Sequence, residues 1–233
     1  MLRILDAHSQ CAAIPFETEL YHNPANYAKR HELLYFWLAE LKNIYNYRQN
    51  QFLIEKTPKH ILHINNILKD FPKAKFILML RDGREAVASM KKRKEFNYDT
   101  ALQRWINDNQ AAISHLDAHY LYLVKLEALK ENPVNTMKGV LSFLGLSFEE
   151  EILNYHKNPK HFFGSKTFSK SEYDNTHHND FRNWQVNQPI LENKTTWMQE
   201  LTQEEKIAFF EKAQDLLIKF NYEHDAKWLK NSL

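Results

Sequence analysis

A strand followed by a helix near the middle of the chain carries side chains that suit an anion. The apolar run Lys75–Leu80 predicts a buried strand of the parallel-sheet type, and residues 82–94 predict the helix after it. Arg81 therefore stands at the carboxyl end of a strand, where open α/β sheets bind ligands, beside N–H groups that the helix leaves free. Ser89 lies about two turns into the helix. An arginine fork together with a hydroxyl suits a phosphate monoester.

The same residues also have interpretations without a ligand, and these stay open at this point. Arg81 could pair with a carboxylate while Ser89 faces solvent. The basic run Lys91–Lys94 would complement the dipole at the end of a helix, an effect of about 0.3–1 kcal/mol. As a nucleic-acid patch this run is short, which disfavours that partner.

A carboxylate and an ammonium form a second candidate pair. Glu17 follows Pro15-Phe16 in an early loop, and Lys56 lies in Glu55-Lys56-Thr57-Pro58 at the end of a predicted strand. If both residues lie at the same sheet edge, they could serve as base and electrophile. Taken one at a time, each residue is more often found at a solvated surface.

Composition excludes several classes of protein. The chain has 233 residues, a net charge of +2 and a single cysteine, Cys11. The small net charge argues against nucleic acid or an anionic membrane as the main partner, and one cysteine excludes an internal disulfide and a cysteine-based zinc site. The sequence shows no signal peptide and no apolar run long enough for a membrane span, so we expect a soluble, cytoplasmic protein.

Nucleotide-phosphate and metal motifs are missing from the sequence. Its four glycines, at 83, 139, 145 and 164, form neither G-x-x-x-x-G-K nor G-x-G-x-x-G, the loops that cradle phosphates in backbone amides. His177 and His178 are adjacent and have no cysteine or spaced histidine as a further ligand, so we expect no metal site.

Helical and strand periods alternate along the chain, which predicts an α/β domain with a parallel sheet covered by helices. The predicted helices lie near 27–48, over 60–69, 82–94, 102–116, 134–145 and 201–220, and the predicted strands over 52–54, 75–80 and 120–124. Asp82 with Glu85 three positions later predicts a capping box. Residues 157–196 are polar without a steady period and predict a long functional or mobile loop. We expect one domain over 1–233.

Several segments together resemble the sulfotransferases that use 3′-phosphoadenosine 5′-phosphosulfate. The segments that carry the likeness keep the family's order and cover most of the chain: Glu55-Lys56-Thr57-Pro58, Phe71-Pro72-Lys73-Ala74-Lys75-Phe76-Ile77, Arg81-Asp82-Gly83-Arg84-Glu85-Ala86-Val87-Ala88-Ser89, Val124-Lys125-Leu126-Glu127 and Phe143-Leu144-Gly145-Leu146. Leu126 stands where the family usually has a tyrosine. Phe16-Glu17-Thr18 is similar to a segment of tyrosylprotein-sulfotransferase-like members.

The resemblance implies a P-loop-NTPase-like fold and a role for each candidate. Glu17 would deprotonate the acceptor hydroxyl, and Lys56 would stabilise charge on the sulfuryl group in transfer. Arg81, Ser89 and Arg93 would hold the 3′-phosphate of the donor, 3′-phosphoadenosine 5′-phosphosulfate, and no metal would be needed. The acceptor would be a hydroxyl of a protein tyrosine, a carbohydrate, a lipid or a small molecule. Lys194 and residues 165–176 would close over the donor.

The resemblance also implies a departure from the family pattern. In the family, the segment that matches Met1–His8 is preceded by a central strand and a phosphosulfate-binding loop of the type P-R-S-G-T-T. We therefore expect a domain truncated at its N-terminus and lacking its first central strand. One hypothesis is a working sulfotransferase that is longer than this chain. The alternative is an inactive remnant that binds nucleotide or serves as an interaction protein. A nucleotide-dependent phosphotransferase is disfavoured, because no Walker lysine or magnesium-binding pattern occurs.

Overall fold

The computed structural model describes residues 1–44, 52–170, 177–190 and 196–230. The helices and strands follow in chain order: α1 (Leu2–Asp6), β1 (Cys11–Ala13), α2 (Pro24–Ala28), α3 (Arg30–Ile44), β2 (Phe52–Ile54), α4 (Ile64–Asp70), β3 (Phe76–Leu80), α5 (Gly83–Met90), α6 (Tyr98–Ile113), β4 (Leu121–Lys125), α7 (Leu126–Glu131), α8 (Pro133–Leu144), α9 (His178–Val186), α10 (Trp197–Glu200) and α11 (Gln203–Lys219). Short 3₁₀ helices cover Pro58–His63, Glu150–Lys157 and Ala226–Leu229.

The chain forms two compact units, and each combines two separate stretches. The first unit comprises Met1–Ile77 with Asn132–Leu191, and the second comprises Leu78–Glu131 with Glu192–Leu233. The prediction of a single domain over 1–233 stays a prediction.

A parallel pair of short strands organises the first unit. β1 and β2 are in register, with Ala13 opposite Ile54, and the Ile14 N–H continues the ladder by donating to the Ile54 carbonyl over 2.9 Å. Beside this pair, Phe162 and Phe163 are buried against Ala13. A second apolar cluster joins α3 and α4 through these residues: Leu20, Tyr21, Leu33, Leu34, Trp37 and Ile67.

The second unit packs helices around the pair formed by β3 and β4. Its core contains Val87 of α5, Leu102 and Trp105 of α6, and Phe209 and Leu217 of α11, all buried. Apolar positions three and four apart on these helices face that core, which is the spacing of one helical face. The unit therefore depends on both of its chain stretches, since α11 belongs to the second stretch and α5 and α6 to the first.

Most of the predicted elements are present, and the α/β class is confirmed. α3 lies inside the predicted helix near 27–48, whose residues 45–48 fall outside the described ranges. α8 ends as predicted at Gly145, which adopts the left-handed conformation with φ 81° and ψ 27°. α11 matches the predicted closing helix.

The described strands form two pairs, β1 with β2 and β3 with β4. Three predictions about the fold need correction. β3 is only partly covered, because β4 is its one described neighbour and Met79 stays 37% exposed. The predicted capping box is wrong, because the buried Glu85 carboxylate accepts from the N–H groups of Thr196 and Trp197 and not from that of Asp82. The loop predicted over 157–196 contains α9.

Gly83 begins α5 at a point where the helix touches the core directly. A Cβ at this position would lie 2.6 Å from Cζ2 of Trp105 and 2.7 Å from Cζ of Phe209. We expect Gly83→Ala to lower the free energy of unfolding by about 1–3 kcal/mol, because ring atoms must move to admit the methyl group. Chemical denaturation followed by tryptophan fluorescence measures this loss. An unchanged denaturation midpoint would contradict the prediction.

Candidate active site

Glu17 and Lys56 are brought together by the paired strands β1 and β2. Glu17 lies four residues after the end of β1, and Lys56 lies two residues after the end of β2. Because the strands run parallel, both segments leave the sheet at the same edge. The ring of Phe16 packs edge-on against Trp37 of α3, with 5.5 Å between ring centroids, and steadies the loop just before Glu17.

The Glu17 carboxylate binds two cations through one of its oxygens. Lys56 Nζ and Arg182 Nη2 both donate to Oε1 of Glu17. The Glu17 and Arg182 side chains are 19% and 20% exposed, whereas that of Lys56 is 41% exposed. Among the described residues, no donor bonds the second carboxylate oxygen, Oε2. One face of the carboxylate is thus held by the protein, and the other is left for a further hydrogen bond.

Arg182 is the residue of this cluster that the sequence did not predict. It lies on α9, in the polar segment expected to be a loop, and 165 positions separate it from Glu17. Its guanidinium carbon sits 4.1 Å from the ring centroid of Phe163, and Lys56 Nζ lies 5.9 Å from the same centroid. The Phe163 ring therefore supports both cations through its π face.

Phe163 holds an uncommon backbone conformation next to the ion pairs. Its φ is 59°, in the left-handed region that side chains with a Cβ seldom adopt. The Phe163 N–H donates to the carbonyl of Pro15 over 2.6 Å, which joins this residue to the loop that carries Glu17. Strained residues of this kind cluster at functional sites, where the surroundings hold them in place.

Glu55 fixes the backbone on which Lys56 stands. Its Oε1 accepts from the hydroxyls of Thr18 at 2.9 Å and Thr57 at 2.6 Å, and its Oε2 lies 2.9 Å from Nδ1 of His60. Burial raises the pKa of the Glu55 carboxyl, but hydrogen bonds from His60, Thr57 and Thr18 outweigh it, and the pKa lies below its ordinary value. An ionised Glu55 thereby ties the two loops of the candidate site together.

The pKa values of the Glu17 and Lys56 groups reflect burial and mutual contact. Burial raises the pKa of Glu17, but the hydrogen bonds and charges of Arg182 and Lys56 prevail and hold it below its ordinary value. Burial, aided by the charge of Arg182, lowers the pKa of the Lys56 ammonium in spite of Glu17. A carboxylate held by two cations is a weak base, and it becomes a stronger one when a cation moves away.

The second unit places Arg81 at the turn between β3 and α5. Arg81 Nη2 donates to Oε2 of Glu85 over 3.2 Å, while its side chain stays 33% exposed. The turn itself is held by Glu127, whose Oε1 accepts from the Asp82 N–H at 3.0 Å. The Tyr222 hydroxyl donates to the other Glu127 oxygen over 2.9 Å. Glu127, from the segment that resembles the family, thus orients the turn that presents Arg81.

The first turn of α5 is already occupied by side chains of the protein. The helix was expected to offer free N–H groups to an anion, but the N–H of Arg84 donates to the Asp82 carboxylate over 2.9 Å. The Arg84 guanidinium also bonds Asp82 and Glu223, and it lies over the rings of Trp197 and Trp228 at 4.4 and 4.8 Å. Arg84 is therefore a buried structural cation, and Arg81 is the arginine of this turn that a ligand can reach.

The remaining predicted phosphate ligands also belong to the second unit. Ser89 is half-buried near the end of α5, and Arg93 is exposed just after it. The neighbouring cations of the basic run form ion pairs within the same unit, Lys91 with Glu205 at 2.7 Å and Lys92 with Glu200 at 2.5 Å. Lys194 and residues 171–176, which were expected to close over a donor, lie outside the described residues.

Comparison with known proteins identifies the family. Residues 1–150, well over half of the chain, match the sulfotransferase family. The chain belongs to the sulfotransferase family. Protein-tyrosine sulfotransferase 1 of Danio rerio is 31% identical over 121 residues, 46% of this chain and 32% of that protein. Protein-tyrosine sulfotransferase 2 of Gallus gallus is 28% identical over 117 residues, with the same coverage of each chain. This family member thus spans about a third of the length of these curated relatives.

Solved structures agree with this family member in fold. A sulfotransferase domain from the curacin biosynthetic pathway gives a TM-score of 0.56 at 18% identity, covering 89% of this chain and 92% of that one. The mouse sulfotransferase SULT7A1, solved in complex with PAP, gives 0.53 at 14% identity, covering 98% of this chain and 81% of that one. At these identities the likeness concerns the fold.

Two further observations concern the part of this sulfotransferase-family chain that the structure describes. It contains no group of three or more His, Cys, Asp or Glu side chains placed to hold a metal ion. None of its helices combines the length and the apolar character needed to cross a bilayer.

Proposed function

We propose that this protein transfers a sulfuryl group from 3′-phosphoadenosine 5′-phosphosulfate to an acceptor hydroxyl. The observation that carries the proposal is the Glu17 carboxylate bound to Lys56 at the end of two parallel strands. It supplies a base and an electrophile in contact, the two groups that sulfuryl transfer needs. Membership in the sulfotransferase family supports the reaction class. The solved relative in complex with PAP supports the identity of the donor.

The reaction uses one group from each member of the pair, the second carboxylate oxygen of Glu17 and the ammonium of Lys56. Oε2 of Glu17 accepts the proton of the acceptor hydroxyl as the hydroxyl oxygen forms its bond to sulfur. The bond between sulfur and the bridging oxygen of the 5′-phosphate breaks, and its electron pair stays on adenosine 3′,5′-bisphosphate. Lys56, the most exposed member of the cluster, donates to the sulfuryl oxygens that gain negative charge. When Lys56 turns away from Glu17, the carboxylate loses a cation and becomes a stronger base.

The 3′-phosphate of the donor is assigned to Arg81, Ser89 and Arg93. The contact of Arg81 with Glu85 supports this role, because it uses Nη2 and the other N–H groups of the guanidinium can bind a phosphate. The exposed Arg93 adds a second cation. Two arginines and a hydroxyl match the oxygens of a phosphate monoester.

A protein tyrosine is the acceptor that we propose to test first. The support comes from the two protein-tyrosine sulfotransferases that match this chain over nearly half of its length. Carbohydrate, lipid and small-molecule hydroxyls form the comparison panel, since the same pair of groups would activate any of them.

Calorimetric titration with adenosine 3′,5′-bisphosphate tests the donor site. We expect saturable binding by the wild type and binding about 10- to 100-fold weaker by Arg81→Ala, because hydrogen bonds to a charged group contribute about 1.5–3 kcal/mol. Arg104→Ala is the matched control, since Arg104 also pairs with a carboxylate four residues on, at 3.6 Å from Asp108. Equal affinity of wild type and Arg81→Ala would remove Arg81 from the site. A folded wild type that binds no bisphosphate would overturn the proposed donor.

A further inference from the structure

The contacts of Arg182 give it a part in the proposed reaction. We infer that Arg182 is a positioning residue, which holds the Glu17 carboxylate by Oε1 so that Oε2 is presented to the acceptor hydroxyl. The inference rests on the proposed function and extends it to a residue of α9. Three observations support it. Lys56 and Arg182 donate to the same oxygen of Glu17. Hydrogen bonds hold α9 in place, and Arg182 is less exposed than Lys56.

The shared oxygen decides which way the carboxylate faces. A free glutamate rotates about its last bond and exchanges its two oxygens, because this torsion is broad. Lys56 and Arg182 both donate to Oε1, which fixes the carboxylate by that oxygen, and Oε2 accepts from neither cation. Lys56 alone could not hold this orientation during transfer, because the proposed reaction draws its ammonium to the sulfuryl group. Arg182 is the donor that remains.

The helix that carries Arg182, α9, is held firmly by hydrogen bonds although it is largely polar. The next residue, Asn183, is fully buried. Its side chain accepts from the Phe162 N–H over 2.7 Å and donates to the Thr167 carbonyl over 2.7 Å. Asn187, one turn later, bonds both the N–H and the carbonyl of Lys160. These bonds clamp α9 to the segment that carries Phe163, so the guanidinium stays stacked on the Phe163 ring.

Few other ionisable groups act on this pair. Lys56 and Arg182 are the charged groups that influence Glu17 within the described residues. Glu55 and Glu17 carry negative charge, and both raise the pKa of the Lys56 ammonium. A readout placed on Glu17 itself is therefore needed to separate its titration from that of Lys56.

The test compares Arg182→Gln with Arg182→Lys and with the control Lys160→Gln. Lys160 pairs with Asp6 at 2.9 Å in the same unit, so its substitution removes a cation from an ion pair away from Glu17. The chain is labelled with ¹³C at the glutamate carboxyls, and the Glu17 signal is assigned through its loss in Glu17→Gln. Titration then gives the pKa of Glu17 directly, and steady-state kinetics across pH give kcat and kcat/KM.

We expect Arg182→Gln to raise the pKa of Glu17 and to move the acid limb of kcat/KM to higher pH. The sign follows because the lost cation stabilised the ionised form, which is the form that accepts the proton. We expect kcat to fall about 10²-fold, the cost of misplacing a reacting group by about 1 Å, with the KM for the donor unchanged. Arg182→Lys restores the acid limb but only part of kcat, because an ammonium lacks the planar fork. Lys160→Gln behaves as wild type.

Two results would overturn the inference. An unchanged Glu17 titration in Arg182→Gln would show that Arg182 does not govern the carboxylate. A raised Glu17 pKa with an unmoved acid limb and unchanged kcat would show that the contact plays no part in the reaction. Failure of the proposed function looks different, because a wild type without transfer activity for any acceptor in the panel would fail before any substitution is made.

Discussion

We expect Glu17→Gln to lower kcat for the proposed sulfuryl transfer by about 10²–10⁴-fold, the usual contribution of a general base. The carboxamide keeps the shape of the side chain and an oxygen for Lys56 and Arg182, but it cannot take the acceptor proton. Affinity for adenosine 3′,5′-bisphosphate stays at the wild-type level, because no phosphate ligand has changed. Transfer of ³⁵S from labelled donor to a tyrosine peptide measures kcat, and calorimetry measures the affinity.

Glu19→Gln is the matched control for this experiment. Glu19 lies two residues further along the same loop and is exposed, so its substitution makes the same change of charge outside the ion pairs. We expect wild-type kcat for Glu19→Gln. If Glu17→Gln retained wild-type kcat, the proton would have to leave by another route, and Glu17 would lose its proposed role.

We expect Lys56→Met to lower kcat by about 10²–10³-fold, the loss found when one donor to a developing negative charge is removed. Methionine keeps the apolar stem beside Phe163 and removes only the ammonium. The Glu17 carboxylate keeps Arg182, so the base remains in place while the electrophile is gone. We expect the substitution to change kcat and to leave the KM for the donor nearly unchanged, because the charge that Lys56 stabilises grows in the transition state.

Lys75→Met is the control for the loss of an ammonium above an aromatic ring. Lys75 Nζ lies 5.0 Å from the ring centroid of Phe143 in the same unit, and no carboxylate of the described residues pairs with it as Glu17 pairs with Lys56. We expect its kcat to match that of the wild type. Equal rates for Lys56→Met and the wild type would remove Lys56 from the mechanism, and a rise in KM without a fall in kcat would make it a binding residue.

The part of the site that could be predicted from the sequence is the part that lies next to strands. Glu17 and Lys56 come soon after β1 and β2, and parallel strands place the segments after them at one edge. The resemblance to the family supplied their roles. β1 itself was not predicted, because three residues give no measurable period. Even so, the apolar run at Phe52–Ile54 was enough to place Lys56 at a strand end.

Arg182 could not be predicted from a single sequence, for a physical reason. α9 is held by the amides of Asn183 and Asn187, which bond backbone groups of the preceding segment. Hydrophobic periodicity detects helices that are held by an apolar stripe, and it does not detect a helix held by polar bonds. The error about the loop over 157–196 and the missed cation therefore have the same cause.

Glu85 shows how a correct local pattern can be overridden by distant contacts. Asp82 caps α5 as predicted, by accepting from the N–H of Arg84. Glu85 has the spacing to complete the box, but its carboxylate serves Thr196 and Trp197, more than 100 residues away. Buried N–H groups need acceptors, and an acceptor already inside the core meets that need. The spacing of residues along the sequence gives no information about which distant N–H groups need an acceptor.

The interleaved composition of the two units has a consequence for how the protein is made. A ribosome completes Leu78–Glu131 before it begins Glu192–Leu233, and the second unit needs both stretches. At about 5–20 residues per second, synthesis of the intervening segment takes about 3–12 s. Throughout that interval the nascent chain presents Trp105 and Val87 without the helix α11 that buries them. Biosynthesis thus passes through a time window in which a chaperone that shields apolar surface would raise the yield of native protein.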